Sequence, residues 1–127
     1  MIYTTYFAQL RKLPKNIIPI SICGKCPDWF SGIQYKKLAP KYDFFQEWKK
    51  DHDNDKYIRN FDAKVLSRLR ASDVVNELYQ LAGIAENSKS EYNIALVCYE
   101  KPNDFCHRHL VADWLRKNGY DTQEYMT

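Results

Sequence analysis

The stretch NIALVCYEKPNDFCHRHLVADWLRKNG, residues 93–119, decides the fold of this chain. Its apolar run at residues 94–99 is typical of a strand buried on both faces, and such strands lie inside parallel sheets. After a polar turn, apolar residues recur at helical spacing as far as Gly119, where a left-handed residue typically ends a helix. The stretch therefore predicts a strand, a turn and a helix over about 105–118, with Asp104 as the helix N-cap.

The rest of the chain adds elements of both kinds. Further strands are predicted at 2–7, 17–22 and 121–125, and further helices at 43–50, 57–70 and 72–83. Pro19 has no backbone donor, so its strand is expected at a sheet edge or at a bulge. The order of elements predicts an α/β sandwich with a small, mainly parallel sheet.

Length and composition limit the classes of protein that this chain can represent. Its 127 residues suit a single domain over 1–127, and 45% hydrophobic with 28% charged residues is typical of a folded globular protein. A net charge of +3 permits an anionic partner without requiring one. No apolar run reaches the roughly 20 residues that span a bilayer, and no secretory signal is evident. We expect no membrane association and a cytoplasmic location, where the cysteines stay reduced unless they bind metal or take part in chemistry.

Chemically capable side chains flank the turn between the central strand and the last helix. Cys98 and Glu100 follow the strand, and Cys106, His107 and Arg108 open the helix. Ligands of open parallel sheets bind beyond the carboxyl ends of the strands, and helix N-termini favour anions and thiolates. The pattern predicts a pocket in which Cys98, Glu100, Cys106 and His107 are catalytic. Arg108 would hold a phosphate or carboxylate with its bidentate fork.

The sequence of residues 23–42 predicts a long loop, which we expect to cover this pocket. Aromatic residues interleave with lysines in it, which suits stacking of a base beside cations for its phosphates. A loop folded over the sheet edge, with buried rings and solvated lysines, explains the same pattern. The ligand-binding candidates from the loop are Lys25, Trp29 and Tyr35.

The cysteines also permit a metal site. Cys23 and Cys26 have the spacing of a zinc knuckle, but the chain has no second such pair. The predicted fold brings Cys98 and Cys106 to the same sheet edge, with His107 as an alternative ligand. We expect no metal, with zinc on the four cysteines as the alternative; a redox pair and two unrelated thiols at 23 and 26 also stay open.

Two further polar patterns are interpreted as solvated surface. His109 is spaced to pair with Asp113 and is expected to face solvent. Residues 51–62, DHDNDKYIRNFD, place oxygen donors as an EF-hand loop does, but Lys56 stands where that loop needs glycine. A cap for the following helix is favoured over a calcium site.

At this point the sequence resembles a known family. LVCYEKPNDFCHRHLVADWLRKNG, 96–119, is similar to the signature of domain-of-unknown-function family 488, in which a strand ends in Cys and Glu and a Cys-His-Arg opens the final helix. YFAQLRKLPKNIIPISI (6–22) and YKKLAPKYDFFQEWK (35–49) resemble its short branch. The resemblance implies a compact Rossmann-like domain and puts the residues at 98, 100 and 106–108 on the family's presumed site. It implies no particular reaction.

The chain departs from the longer members of that family at the second strand. Those members have Asp-Val-Arg where this chain has Ser21-Ile22-Cys23, so the resemblance does not extend to a shared ligand. Lys25 is the candidate replacement for the lost positive charge.

Two function classes fit these patterns. The first is an enzyme that acts on a phosphate-bearing ligand, a nucleotide or nucleic acid, with Cys106 or Cys98 as the reacting thiol and His107 or Glu100 as acid–base partner. The second is a non-catalytic module that binds the same kind of anion, or a partner protein, with or without a structural zinc. The sequence predicts no oligomeric state.

Overall fold

The structure, a computed structural model, describes residues 1–126. Its strands are β1 (Ile2–Tyr6), β2 (Ile17–Ser21), β3 (Ile33–Gln34), β4 (Asn93–Cys98) and β5 (Thr122–Glu124). Its α-helices are α1 (Tyr42–Asp51), α2 (Asn54–Lys64), α3 (Ala71–Leu81) and α4 (His107–Lys117). Short 3-10 helices lie at Phe7–Lys12, Lys36–Leu38, Leu66–Arg68 and Glu86–Ser88. Among the helices of residues 1–126, none has the length and the apolar composition that a membrane span requires.

β4 lies at the centre of the sheet, whose described strands run parallel in the order β3-β2-β4-β1-β5. Residues 94–98 are completely buried, because β4 is covered on both faces. β1 pairs along one side of β4, from Ile2 opposite Ile94 to Tyr6 opposite Cys98, and β2 pairs along the other. The predicted central parallel strand is confirmed. With helices flanking the sheet, the fold is the predicted Rossmann-like, three-layer α/β arrangement.

Pro19 lies in an internal strand, which corrects the expectation of an edge strand. β2 runs between β3 and β4. The Ser21 carbonyl accepts a hydrogen bond from the Tyr35 N–H (2.8 Å) on the β3 side, and backbone groups two residues apart in a strand face the same neighbour. Pro19 therefore faces the β3 side. β3 pairs with Ile20 and Ser21 and begins beyond Pro19, so the missing donor interrupts no ladder.

Helix α4 begins later than predicted, and Asp104 is not its N-cap. The N-cap is Cys106, with extended backbone at φ −155° and ψ 142°. Phe105 explains the difference, because its ring stacks on Trp48 (5.6 Å between centroids) and meets Tyr57 edge-on (5.1 Å). This packing keeps the chain extended up to the first helical residue, and Asp104 closes the preceding turn through its backbone N–H.

Two glycines end helices as predicted. Gly83 (φ +71°) follows α3 and Gly119 (φ +89°) follows α4, both in the left-handed region. After α4 the Tyr120 N–H reaches back to the Leu115 carbonyl (3.0 Å) and satisfies one of the carbonyls that a helix end leaves open.

Helix α2 has a different span from the predicted 57–70. It begins after Asp53, whose carboxylate accepts the Lys56 N–H (3.1 Å), and ends at Lys64. The helix cap predicted for this polar segment is confirmed, and the last predicted turn continues as a 3-10 helix.

A small cluster of buried residues lies apart from the main core, at the edge of the sheet where β1, β2 and β4 end. Its members are Phe7, Cys23, Val97, Cys98 and Cys106. Cysteines thus concentrate at the carboxyl edge of a parallel sheet, which is the edge where ligands of such folds bind.

Candidate functional site

Cys98 and Cys106 form a disulfide at this edge. Cys98 is the last residue of β4 and is fully buried, whereas Cys106 is the N-cap of α4 and is 4% exposed. The cysteines were expected to stay reduced unless they bind metal or take part in chemistry, and this pair is oxidised. Cys23 and Cys26, in the part of the chain that the structure describes, are free thiols.

His107 is buried beside the disulfide, with its ring oriented by the backbone of β2. Its Nε2 lies 2.7 Å from the Ile22 carbonyl oxygen and its Nδ1 lies 4.0 Å from the Cys106 sulfur. Since a carbonyl only accepts hydrogen bonds, Nε2 carries the proton and the Nδ1 lone pair faces the sulfur. Burial, assisted by the positive charge of the neighbouring Arg108, lowers the pKa of His107 from 6.5 to about 4. The imidazole is thus neutral at pH 7.

Arg108 is completely buried, and its guanidinium is already occupied. Its Nε and Nη2 donate to the two carboxylate oxygens of Glu124, at 3.1 and 2.9 Å. Its Nη1 donates to the Glu100 carbonyl (2.6 Å) and lies 3.5 Å from the Cys98 sulfur. The expectation that this fork is free to hold an external anion is therefore wrong, because β5 supplies the carboxylate that it binds. The third guanidinium nitrogen, Nη1, instead places positive charge beside the Cys98 sulfur.

Two cavities open beside His107. The smaller, of about 20 Å³, has a mainly aromatic wall and reaches the Cys106 side of the cluster; it is lined by Phe45, Trp48, Tyr57, Glu100, Phe105, Cys106 and His107. The larger, of about 530 Å³, is lined by Cys23, Gly24, Lys25, Pro40, Tyr42, Phe45, Gln46, Lys49, Tyr99, Glu100 and His107. Phe45, Glu100 and His107 line both. The predicted catalytic residues Glu100, Cys106 and His107 therefore border open space, while Cys98 lies behind them.

A family model covers most of the chain and includes this cluster. The model of the active DUF488-N3 subclade, DUF488-N3a, matches residues 6–119. The chain belongs to the DUF488 family. No curated protein and no solved structure matches it. The matched range of this DUF488 chain contains Cys98 and Arg108 but ends before Glu124, the carboxylate that binds Arg108.

The ligand-binding residues predicted from the loop at 23–42 have three different positions in this DUF488 protein. Lys25 lines the large cavity. Trp29 is 64% exposed, packs edge-on against Phe7 (5.9 Å between centroids) and lines neither cavity. Tyr35 is 4% exposed, and its hydroxyl donates to Glu77 (2.8 Å), so it holds the loop to α3. The stacking role predicted for Trp29 and Tyr35 in the pocket is wrong.

The four cysteines of this DUF488 chain do not converge as a ligand set. Within residues 1–126, one group of three metal-ligand atoms lies within 4.8 Å of one another, and it belongs to Cys98, Cys106 and His107. Cys23 is buried with its sulfur 3.7 Å from the Val97 carbonyl, and burial raises its pKa to about 12. Cys26 contacts the Ser21 hydroxyl at 3.1 Å. The alternative of zinc on all four cysteines therefore does not fit the described residues, in which the ligand atoms that lie together belong to Cys98, Cys106 and His107.

The prediction that His109 faces solvent is wrong. It is half-buried, burial lowers its pKa, and its Nε2 has no hydrogen-bond partner among the described residues. Asp113, which the helical spacing assigned to it, bonds Arg116 (2.5 Å) instead.

Sequence reasoning missed Glu124 and the walls of the cavities, above all Lys49, Tyr42 and Phe105. Lys49 and Tyr42 lie on α1. The sequence pattern of this helix indicated only its apolar face, and nothing in it marked the polar side as part of a site. Glu124 gave one usable signal, since a buried arginine requires a carboxylate and this residue lies in the last predicted strand.

Proposed function

We propose that this DUF488 protein is a thiol-dependent enzyme in which Cys106 is the reacting group and His107 its base. The observation that supports this most directly is the orientation of His107. The Ile22 carbonyl holds the Nε2 proton, so the Nδ1 lone pair is directed at the Cys106 sulfur 4.0 Å away. A nucleophile, a base and a group that orients the base form the arrangement of known covalent catalysts.

The reaction needs the reduced form of the disulfide. In that form the Cys106 proton passes to His107 Nδ1, and the thiolate stands at the N-cap of the 11-residue helix α4, where the unpaired backbone N–H groups favour a negative charge. The distance of 4.0 Å is long for a proton transfer, but such contacts shorten once substrate is bound. Glu100 lines both cavities and is the candidate acid for a leaving group.

The large cavity is the proposed site for the body of the substrate, and its reacting end would reach Cys106 through the small cavity, because Phe45, Glu100 and His107 line both. The volume of the large cavity, about 530 Å³, suits a small molecule. Lys25 and Lys49 line it together with one carboxylate, Glu100. The balance of charge favours an anion, and we propose a phosphate-bearing ligand, a nucleotide or the end of a nucleic acid. Tyr42 and Tyr99, which are 78% and 49% exposed, offer rings for a base.

The test is turnover by the reduced protein. Nucleotides and short single-stranded oligonucleotides would be incubated with wild-type protein, Cys106→Ser and Cys26→Ser, and products identified by mass spectrometry. Cys26 lines neither cavity, so its variant controls for loss of a thiol at the same sheet edge. We expect product from wild type and Cys26→Ser and none from Cys106→Ser. Full turnover by Cys106→Ser would exclude the thiol mechanism.

A second candidate function rests on the Cys-Cys-His group. In the reduced protein the two sulfurs and Nδ1 would supply three zinc ligands, and the Nε2–Ile22 hydrogen bond is the kind of outer contact that orients a metal-bound histidine. The fourth position would face the small cavity. Elemental analysis of protein purified under reducing conditions tests this. One zinc per chain that is lost in Cys98→Ser supports it, and a metal-free, folded protein excludes it.

The remaining alternative is a module that binds the same anion without chemistry. It predicts that nucleotides bind equally to wild type and Cys106→Ser and that neither forms product. Alkylation rates separate it from the enzyme. A reduced Cys106 that reacts well below its ordinary pKa of roughly 8.5 supports catalysis, whereas an inert thiol supports simple binding.

A further inference from the structure

The two sulfurs of the disulfide have unequal surroundings. Cys106 lines the small cavity, whereas Cys98 is fully buried, lines neither cavity and has Arg108 Nη1 3.5 Å from its sulfur. From this asymmetry we propose that the pair is an oxidation site for hydrogen peroxide, in which Cys106 reacts and Cys98 resolves. The proposal rests on the proposed function for the identity of the reacting thiol, and it adds how that thiol is switched off.

The size of the small cavity selects the oxidant. Its volume is about 20 Å³, and a single water needs roughly 10–15 Å³ measured in this way. Hydrogen peroxide is only slightly larger than water and fits. A bulky disulfide such as oxidised glutathione does not, because Trp48, Tyr57 and Phe105 pack together around the same space.

The first step oxidises Cys106. Its thiol proton moves to His107 Nδ1, and the thiolate attacks one peroxide oxygen. A sulfur–oxygen bond forms, the oxygen–oxygen bond breaks, and the departing hydroxide takes the proton from Nδ1 to become water. Sulfur loses two electrons and the peroxide gains them, which leaves a sulfenic acid on Cys106.

The second step forms the disulfide. The Cys98 thiolate attacks the Cys106 sulfur, the sulfur–sulfur bond forms, and the hydroxide that leaves is protonated by the proton that Cys98 released. Arg108 promotes this step because a guanidinium 3.5 Å from the Cys98 sulfur stabilises its thiolate. Glu124 fixes Arg108 in that position through two hydrogen bonds and is thus a positioning residue. A small external thiol then reduces the disulfide, each sulfur accepting one proton as two external thiols become one disulfide.

The experiment follows the thiols of the reduced protein by mass spectrometry; after the oxidant has acted, the protein is unfolded in denaturant that contains dimedone, so that any sulfenic acid is trapped without dimedone having to enter the small cavity. Wild-type protein and the variants Cys98→Ala, Cys106→Ser and Cys26→Ser would be treated with one equivalent of hydrogen peroxide or, separately, of oxidised glutathione. We expect peroxide to link Cys98 to Cys106 in wild type and Cys26→Ser. We expect Cys98→Ala to carry dimedone on Cys106, and Cys106→Ser to carry none on Cys98. Oxidised glutathione should act at least tenfold more slowly than peroxide.

Several results would overturn the proposal: dimedone on Cys98 rather than Cys106, a disulfide through Cys23 or Cys26, or oxidised glutathione acting as fast as peroxide. The wild-type arm needs no variant to fold, so the outcome is decided even if Cys98→Ala is unstable. These readouts require no turnover. If peroxide links Cys98 to Cys106 in wild type but Cys106→Ser keeps its activity, only the proposed function is rejected. If the activity depends on Cys106 but peroxide does not form the Cys98–Cys106 link, only this inference is rejected.

Discussion

Arg108 on α4 and Glu124 on β5 form a bidentate ion pair, with Nε to Oε1 at 3.1 Å and Nη2 to Oε2 at 2.9 Å. The arginine side chain is fully buried and that of the glutamate is 18% exposed. Thr4 of β1 donates its hydroxyl to the same carboxylate (2.7 Å). The pair therefore ties the last strand and the last helix to the sheet, and its remaining nitrogen reaches Cys98.

Removing the charge of Glu124 should destabilise the protein. Glu124→Gln leaves a buried guanidinium without its counter-ion, and breaking a buried pair in this way costs about 3 kcal/mol of unfolding free energy. Glu86→Gln is the matched control, since the Glu86–Lys89 pair has a carboxylate side chain that is 89% exposed. The control should change stability by less than about 0.5 kcal/mol. Urea unfolding of both variants measures the difference, and equal losses would show that the Arg108 pair contributes no more than a surface pair.

The pKa of His107 should make stability fall in mild acid. The unfolded chain protonates this histidine near 6.5, whereas the folded chain does so only near 4. Between these pH values the unfolded state binds more protons, so the contribution of the neutral ring is complete above about 6.5 and is lost as the pH falls to about 4. A difference of this size corresponds to about 3 kcal/mol. Unfolding free energies of wild type and His107→Gln from pH 7 to 4 test this, and parallel pH profiles would contradict it.

The large cavity should lose affinity for phosphate when its lysines are removed. Lys49→Ala deletes a cation that lines the cavity, and we expect roughly fivefold weaker binding of a nucleoside monophosphate, about 1 kcal/mol. Lys50→Ala is the matched control, because Lys50 is the next residue of α1 and lines neither cavity. Calorimetric titration of both variants decides the point. Equal losses would mean that any effect comes from the overall charge and not from the site.

The left-handed backbone at Gly119 should resist substitution. A Cβ there meets nothing within 4 Å, so Gly119→Ala introduces only the strain of φ +89°, about 1 kcal/mol. At Gly24 a Cβ also meets nothing, and the backbone is not left-handed. Gly24→Ala should therefore leave stability unchanged or raise it slightly. Thermal unfolding of the two variants separates the effect of backbone strain from the effect of an added methyl group. A Gly119→Ala protein as stable as wild type would contradict this explanation.

A helix or strand could be predicted where the residues that determine it lie within that same helix or strand. The apolar run at 94–99 predicted the central strand because a strand covered on both faces needs no polar residue. Gly83 and Gly119 marked helix ends because glycine adopts a positive φ without strain. The start of α4 was missed because packing of Phe105 against α1 and α2, a contact between distant segments, outweighs the capping preference of Asp104.

The site could be predicted in part for the same reason. Cys106 and His107 were found because they lie in one short stretch beside the strand end. The partner of Arg108 was missed because Glu124 is 16 positions away and reaches it only through the pairing of β5 with β1. Tyr35 was misassigned because its hydroxyl donates to Glu77, a residue of α3 that is 42 positions away.

Pro19 has a consequence for how the molecules behave at high concentration. β3 pairs with only the last two residues of β2, so the ladder on that side of β2 does not include Pro19. An extended segment of another chain could not form a continuous ladder with β2 on this side, because Pro19 has no N–H to donate. The sheet can therefore end in a very short strand without recruiting its neighbours into fibrils.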